Sequence, residues 1–265
     1  MKMVSRQTIK DKHIQKVILR LDYVGPLNDE KILERLNAND VFKGWLGARA
    51  SHNNIRVRAA YNMDDLEQIS NSASIPVEEI QKSTFYRFSK QMDDLDVFFD
   101  VSQFYICLVL QIHGCYPGLD NYIDLFAKVK KEVISCEKNV NFQRLGIRKV
   151  RKEDFNSYHT LLKVFRTNAF PGITEKSNSE NIANEFTDIK RNKDIKIRNN
   201  RKLYKVCYTN AFDKKRIIKI QTVLDIDTYM DDLAKLNGKI FKTSSDLEKK
   251  LNQEEFDQYS SFMIT

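Results

Sequence analysis

The chain has 265 residues, 42% of them hydrophobic, with 16 Phe and 11 Tyr against 8 Gly and 4 Pro. That excludes a fibrous or low-complexity polymer and allows a sizeable core in one large domain or two smaller ones. The net charge of +8 permits a nucleic-acid or acidic partner without requiring one.

The first strand is expected from His13 to Tyr23, with Ile14, Val17, Ile18, Leu19 and Leu21 as its apolar content. Gly25-Pro26 ends it, and Asn28 is placed to cap a helix over 29–36 with Ile32, Leu33 and Leu36 on one side. Trp45, between Gly44 and Gly47, reads as an anchor for a short loop or helical turn. Asn54 to Tyr61 alternates as a short strand, Met63 to Ser70 reads as a weak helix, and Pro76 fits the start of another helical piece. A strand opens at Thr84 to Phe88.

The stretch from Asp93 to Lys152 organises the rest. A strand over 94–101 is followed by the near-continuous apolar run Phe104 to Ile112, which predicts a central strand covered on both faces. Gly114, Pro117 and Gly118 break the extended chain. An amphipathic helix then runs from Leu119 to about Cys136, with Tyr122, Ile123, Phe126, Val129 and Val133 on one stripe, and Phe142 to Arg151 returns to strand. Beyond it, Asp154 to Thr167 reads as a helix, Ala169 to Ser179 as a linker, and Asn181 to Arg191 as a short helix. Strands follow at Leu203 to Tyr208 and Arg216 to Ile226, joined by a hairpin loop over 210–214. Tyr229 to Leu236 has a helical pattern, and Ser245 with Glu248 forms a capping box for a last helix to about Met263.

This order predicts an α+β protein in two mixed halves, 1–168 and 169–265, with antiparallel-rich sheets packed against amphipathic helices and the two halves packed as one unit. Both halves mix strands with helices, which fits a loose duplication without a residue-level repeat. No window approaches the ~20 consecutive apolar residues that span a bilayer, and Met1 to Lys12 lacks a signal-peptide core. A cytoplasmic location with no membrane partner is the expectation.

Little in the sequence carries chemistry. Cys107, Cys115, Cys136 and Cys207 show no metal or redox spacing and read as reduced, structural thiols. His13, His52, His113 and His159 are scattered, and only His113, at a strand end, is placed like a site residue. No P-loop or serine-hydrolase motif is present. Asp225 and Asp227 alternate on a strand, so both carboxylates share a face and could hold a divalent cation; Asp94, Asp96 and Asp100 are a weaker cluster of the same kind. A metal-dependent enzyme acting on nucleotides or nucleic acid would also need a phosphate-binding loop upstream, which is missing. The strongest feature is a basic field between Lys190 and Lys219 that includes Arg198, Arg201, Lys202 and Lys205, with a second group at Arg144, Arg148, Lys149 and Arg151. Such fields bind phosphate backbones or acidic proteins, and equally serve as solvated edges that resist aggregation.

The strand Leu95 to Phe99, the strand Phe104 to Ile112, the helix start Tyr116-Pro117-Gly118 and the strand Arg144-Leu145-Gly146-Ile147-Arg148 together resemble the core pattern of a sporadically distributed family of uncharacterised bacterial proteins of about this length. Leu224-Asp225-Ile226-Asp227 and the end from Phe256 to Thr265 resemble later parts of that pattern. Where the family has Tyr-x-Asn after the arginine, this chain has Lys149-Val150-Arg151. The resemblance carries no activity. The family's patchy distribution is like that of anti-phage and toxin–antitoxin modules. Taken together, the expectation is a non-enzymatic binding component without cofactor that meets nucleic acid or an acidic protein through a basic face, with the metal-dependent enzyme at Asp225 and Asp227 as the alternative.

Overall fold

A computed structural model describes residues 13–57, 77–137, 140–174, 183–209, 216–238, 241–242 and 244–264. The expected helix over 63–70 and the hairpin loop over 210–214 lie outside them; the helical piece expected from Pro76 is overturned, because the chain is strand from Val77 onward. The described strands are β1 (Ile14–Tyr23), β2 (Leu46–Val57), β3 (Val77–Met92), β4 (Leu95–Ser102), β5 (Tyr105–Ile112), β6 (Phe142–Phe155), β7 (Ala183–Asn192), β8 (Ile195–Thr209) and β9 (Arg216–Met230). The helices are α1 (Asp29–Ala38), α2 (Asp120–Cys136), α3 (Tyr158–Leu162), α4 (Leu233–Leu236) and α5 (Asp246–Phe262).

The nine strands form one sheet in the order β2-β3-β4-β5-β1-β6-β9-β8-β7, with every neighbouring pair antiparallel. This overturns the expected α+β architecture of two mixed halves with separate sheets. The molecule is dominated by a single sheet that runs through both. At its centre β1 pairs with β6, Leu19 facing Ile147 and Arg20 facing Gly146. Outward from that seam the order is β1-β5-β4-β3-β2 on one side and β6-β9-β8-β7 on the other. On each side the chain goes strand, helix, meander back to the seam, then long helix. The second side is one strand shorter. Because β1 and β6 are antiparallel, a local two-fold through the Leu19–Ile147 pair relates them. It lays Lys16 on Arg144 and Arg20 on Arg148, and brings the helix cap Asn28 next to the cap Ser157.

Alternation along the strands sorts side chains between the two faces. Val17, Leu19 and Leu21 of β1, Leu145 and Ile147 of β6, and Leu224 and Ile226 of β9 are buried in one continuous core. All five of these described helices contribute to that core, through Ile32 and Leu36 of α1, Ile123, Phe126 and Val129 of α2, Leu161 of α3, Leu236 of α4, and Leu251 and Phe256 of α5. Each such fully buried side chain contributes roughly 1.5–3 kcal/mol. The helices therefore lie on one face of the sheet, and the other face carries no helix among the described residues. The apolar run of β5 is thus covered on one side only, and Val109 is half-buried on the open face.

Local signals explain α1 and mislead at β7 and α5. The Asn28 side chain accepts from the Lys31 N–H, as a helix cap should. From Ala183 onward the stretch read as a helix over 181–191 belongs to the edge strand β7; its sparse apolar residues suit an edge, and Phe186 packs against the core while Ile189 is exposed. The stretch from Asp154 is strand through Phe155, and helix only at α3. Glu248 does not fold back as a capping-box partner. It is fully buried and takes the Lys130 Nζ at 2.6 Å, while that ammonium also donates to the Phe241 and Ser244 carbonyls.

One turn pair further along α5, buried Glu255 accepts from Lys149 at 3.0 Å and from Arg151 at 2.5 Å, and Arg151 lies over the Tyr259 ring. Removing one partner of such a group leaves charge stranded in the core. Glu255→Gln should therefore lower unfolding free energy by about 3–5 kcal/mol in urea titrations. A loss under about 1 kcal/mol would show that Lys149 and Arg151 are neutralised by other groups.

Candidate functional site on the open sheet face

The open face is built from the alternate residues that the core does not take. On β1 these are Lys16, Ile18, Arg20 and Asp22; on β6 they are Arg144, Gly146 and Arg148; on β9 they are Asp225, Asp227 and Tyr229. A groove of about 780 Å³ crosses the strands here and straddles the β1–β6 seam. Its walls carry Lys16, Arg20, Arg87, Arg144 and Arg148, and its floor includes Phe98, Cys107 and Val109. Gly146 lies among these groups with little room for a side chain, because a Cβ there would come within 3.1 Å of the Tyr229 Cβ.

Every arginine of the groove is held by an aspartate. The Arg20 Nε donates to Asp22 at 2.7 Å, and Arg144 to Asp227 at 2.7 Å. Arg87 grips Asp100 with two bonds of 2.6 and 2.8 Å, and Arg148 grips Asp225 with two of 2.7 and 2.6 Å. The two-pronged bonds raise the Arg87 and Arg148 guanidinium pKa values against the pull of partial burial. Burial raises the Asp227 carboxyl pKa, against the opposing charges of Arg144, Arg148 and Arg198. Three of these arginines also lie on aromatic rings: Arg20 over Tyr105 at 4.2 Å, Arg144 over Tyr229 at 4.5 Å, and Arg87 over Phe85 and Phe98, each at 5.1 Å.

The eight cations expected to form one basic face are divided by strand alternation. Arg144 and Arg148 reach the open groove. Lys149 and Arg151 point the other way and are buried against α5. On β8, Arg198 and Lys202 fall on the open face, with Arg198 exposed and Lys202 paired to Glu185 at 2.8 Å. Arg201 is buried on the helix side, where it donates to Asp188 and to the Asn168 and Ala169 carbonyls. Lys205 is exposed beyond the end of β7. The solvent edge expected of Arg201 is corrected by its buried neighbours.

Asp225 and Asp227 do share a face, as their spacing predicts, and each is engaged by an arginine of β6. Among the described residues no group of three or more His, Cys, Asp or Glu side chains is close enough together to hold a metal ion. The Asp96 carboxylate lies 2.9 Å from the His113 Nε2 and accepts from it in the Nε2–H tautomer, while Asp100 belongs to Arg87, so the cluster read near Asp94 is divided. No helix among the described residues is long and apolar enough to cross a membrane.

Sequence reading missed Arg20, Arg87 and Tyr105. The signal for Arg20 lay in β1, where Lys16, Ile18, Arg20 and Asp22 alternate with Val17, Leu19 and Leu21. Arg87 and Tyr105 depend on neighbours far away in sequence and left no such mark.

No protein-family model matches the chain, and no curated protein matches it.

Two measurements test this placement. Arg201→Glu should unfold the protein or cost several kcal/mol, because it sets a carboxylate against Asp188 and two carbonyls, whereas Arg198→Ala should change stability by no more than about 0.5 kcal/mol. Equal effects in thermal melts would overturn the division of β8 between two faces. Separately, burial pushes the Cys107 thiol up to about 12, with Asp100 adding to the shift, so it is protonated at neutral pH. Exposed Cys115 and Cys207 should be alkylated by iodoacetamide in the native protein before Cys107, read by peptide mass spectrometry.

Proposed function

We propose that this chain is a non-enzymatic nucleic-acid-binding protein whose ligand lies along the groove of the open sheet face. The observation that carries this reading is the set of four arginines, each fixed by an aspartate, converging from both sides of the seam on a face that no described helix covers. An open antiparallel sheet backed by helices is a geometry on which nucleic-acid strands are bound, through cations for phosphates and flat groups for bases. Lys16 at the groove and Arg198 beside Asp227 are exposed and suited to phosphate contact. The overall charge of +8 favours approach of a polyanion.

The aspartates bear on affinity. They cancel much of the arginine charge, so binding rests on few net phosphate contacts and has a shallow salt dependence. Salt titrations of binding to short RNA and DNA should give a slope to which each phosphate contact adds roughly 0.7–0.9. Lys16→Ala with Arg198→Ala should reduce the slope by about two contacts and weaken binding alike across sequences. Absence of binding to any nucleic acid at low salt would overturn the reading. Salt-sensitive binding of polyglutamate in its place would transfer the face to acidic proteins.

A further inference from the structure

Resting on that nucleic-acid reading, we infer that the groove takes single-stranded nucleic acid by stacking unpaired bases on the guanidinium planes of Arg20, Arg87 and Arg144.

Part of each guanidinium is already engaged. The guanidinium carbon of Arg20 lies 4.2 Å from the centre of the Tyr105 ring, that of Arg144 4.5 Å from Tyr229, and that of Arg87 5.1 Å from both Phe85 and Phe98. An edge of each is taken by Asp22, Asp227 and Asp100 respectively. The rings and carboxylates fix the orientation of a group that otherwise carries substantial rotamer freedom. What remains is the part of each side chain that neither ring nor carboxylate covers. The three side chains keep 43%, 34% and 35% of their surface exposed, for Arg20, Arg87 and Arg144 in that order. A flat, weakly hydrated cation backed by an aromatic ring presents a stacking surface, and every base has a π-face to meet it.

Charge argues in the same direction. A site built for phosphates leaves its cations unneutralised, whereas here each of the three has a carboxylate within hydrogen-bond distance. That neutralisation weakens attraction to phosphate and leaves the planar face intact. Placement agrees as well. Arg87 is on β3 and Arg20 on β1, three strand spacings away, or about 14 Å at the backbone, and Arg144 is on β6 beyond the seam. A ligand running across the strands meets the three planes in turn. Paired bases inside a duplex are stacked on one another and cannot present their faces to such a row.

The test uses the full chain and fluorescence anisotropy with a labelled oligothymidine, its duplex with oligoadenine, and an abasic strand of the same length. The single strand should bind at least tenfold more tightly than the duplex or the abasic strand. Changing Arg20, Arg87 and Arg144 together to Lys keeps each charge opposite its aspartate and removes the plane; it should weaken single-strand binding by about tenfold per lost platform while leaving the salt slope unchanged. If the abasic strand binds within twofold of the normal strand, the stacking inference is wrong and the nucleic-acid reading stands, because phosphates then suffice. A folded triple variant that binds within twofold of the parent has the same meaning. The abasic comparison needs no variant, so a triple variant that fails to fold leaves the inference decided by the parent protein. Failure of the parent to bind any of the three removes both readings.

Discussion

The antiparallel pairing of β1 with β6 is the contact on which the rest of the structure depends. It joins two meanders into a single sheet and fixes, through one register, which residues of both face the helices. A slip of one residue in β6 would exchange Leu145 and Ile147 for Arg144 and Arg148 on the core side. The core could not accept that, since an unpaired charge buried among Leu19, Phe126 and Ile226 costs far more than one apolar contact returns. The hydrophobic core thus specifies the arrangement of the open face, although its own residues point the other way. The apparent two-fold about the seam has the same origin, because each meander must bring a strand back to pair with the central one.

The same residue types do opposite work on the two faces. Along β6, Arg144 and Arg148 stand in the groove while Lys149 and Arg151 are sealed under α5 around Glu255. The buried set has no access to solvent or ligand. Its effect is positional: replacing it with apolar groups of similar shape need not destabilise the fold, but its directional bonds fix how α5 sits on the sheet. Lys130 and Glu248 do this again between α2 and α5. On the open face the Arg–Asp pairs are partly hydrated and contribute little to stability, so their consequence is orientation of the arginines.

Legibility from sequence followed whether a signal was local. The cap at Asn28, the stripe of α2 and the strands around 95–112 depend on near neighbours, and they could be read. The polar edge strand β7 could not, because an edge has few buried positions to impose a period on its residues. The apolar run of β5 suggested cover on both faces, yet Tyr105, Cys107 and Val109 line a groove, and Tyr105 there lies beneath Arg20 of the neighbouring strand. Glu248 matched a capping box by spacing, and its buried partner Lys130 is 118 residues away. The basic field failed as a unit for a simpler reason. Counting charge along a chain ignores the period of two, and Arg201 lies between Arg198 and Lys202 in number while occupying the opposite face from both. Arg20 and Arg144 drew no attention as a set because their convergence is a property of the seam.

Pairing arginine with aspartate changes the range over which the face acts. Unpaired cations set up a field that attracts any polyanion from about a Debye length, ~8–10 Å at moderate salt, and discriminates poorly among them. Paired ones cancel at that distance and retain their geometry at contact. Recognition by such a surface therefore depends on what touches it: planes that match planes, and donors left over after the aspartates are satisfied. A chain can carry a net charge of +8 and still present a binding face whose selectivity comes from shape and stacking. On the proposed reading, the balance of charge in the groove favours selectivity at close range, and the positive charge elsewhere on the chain would supply the attraction that brings a polyanion to it.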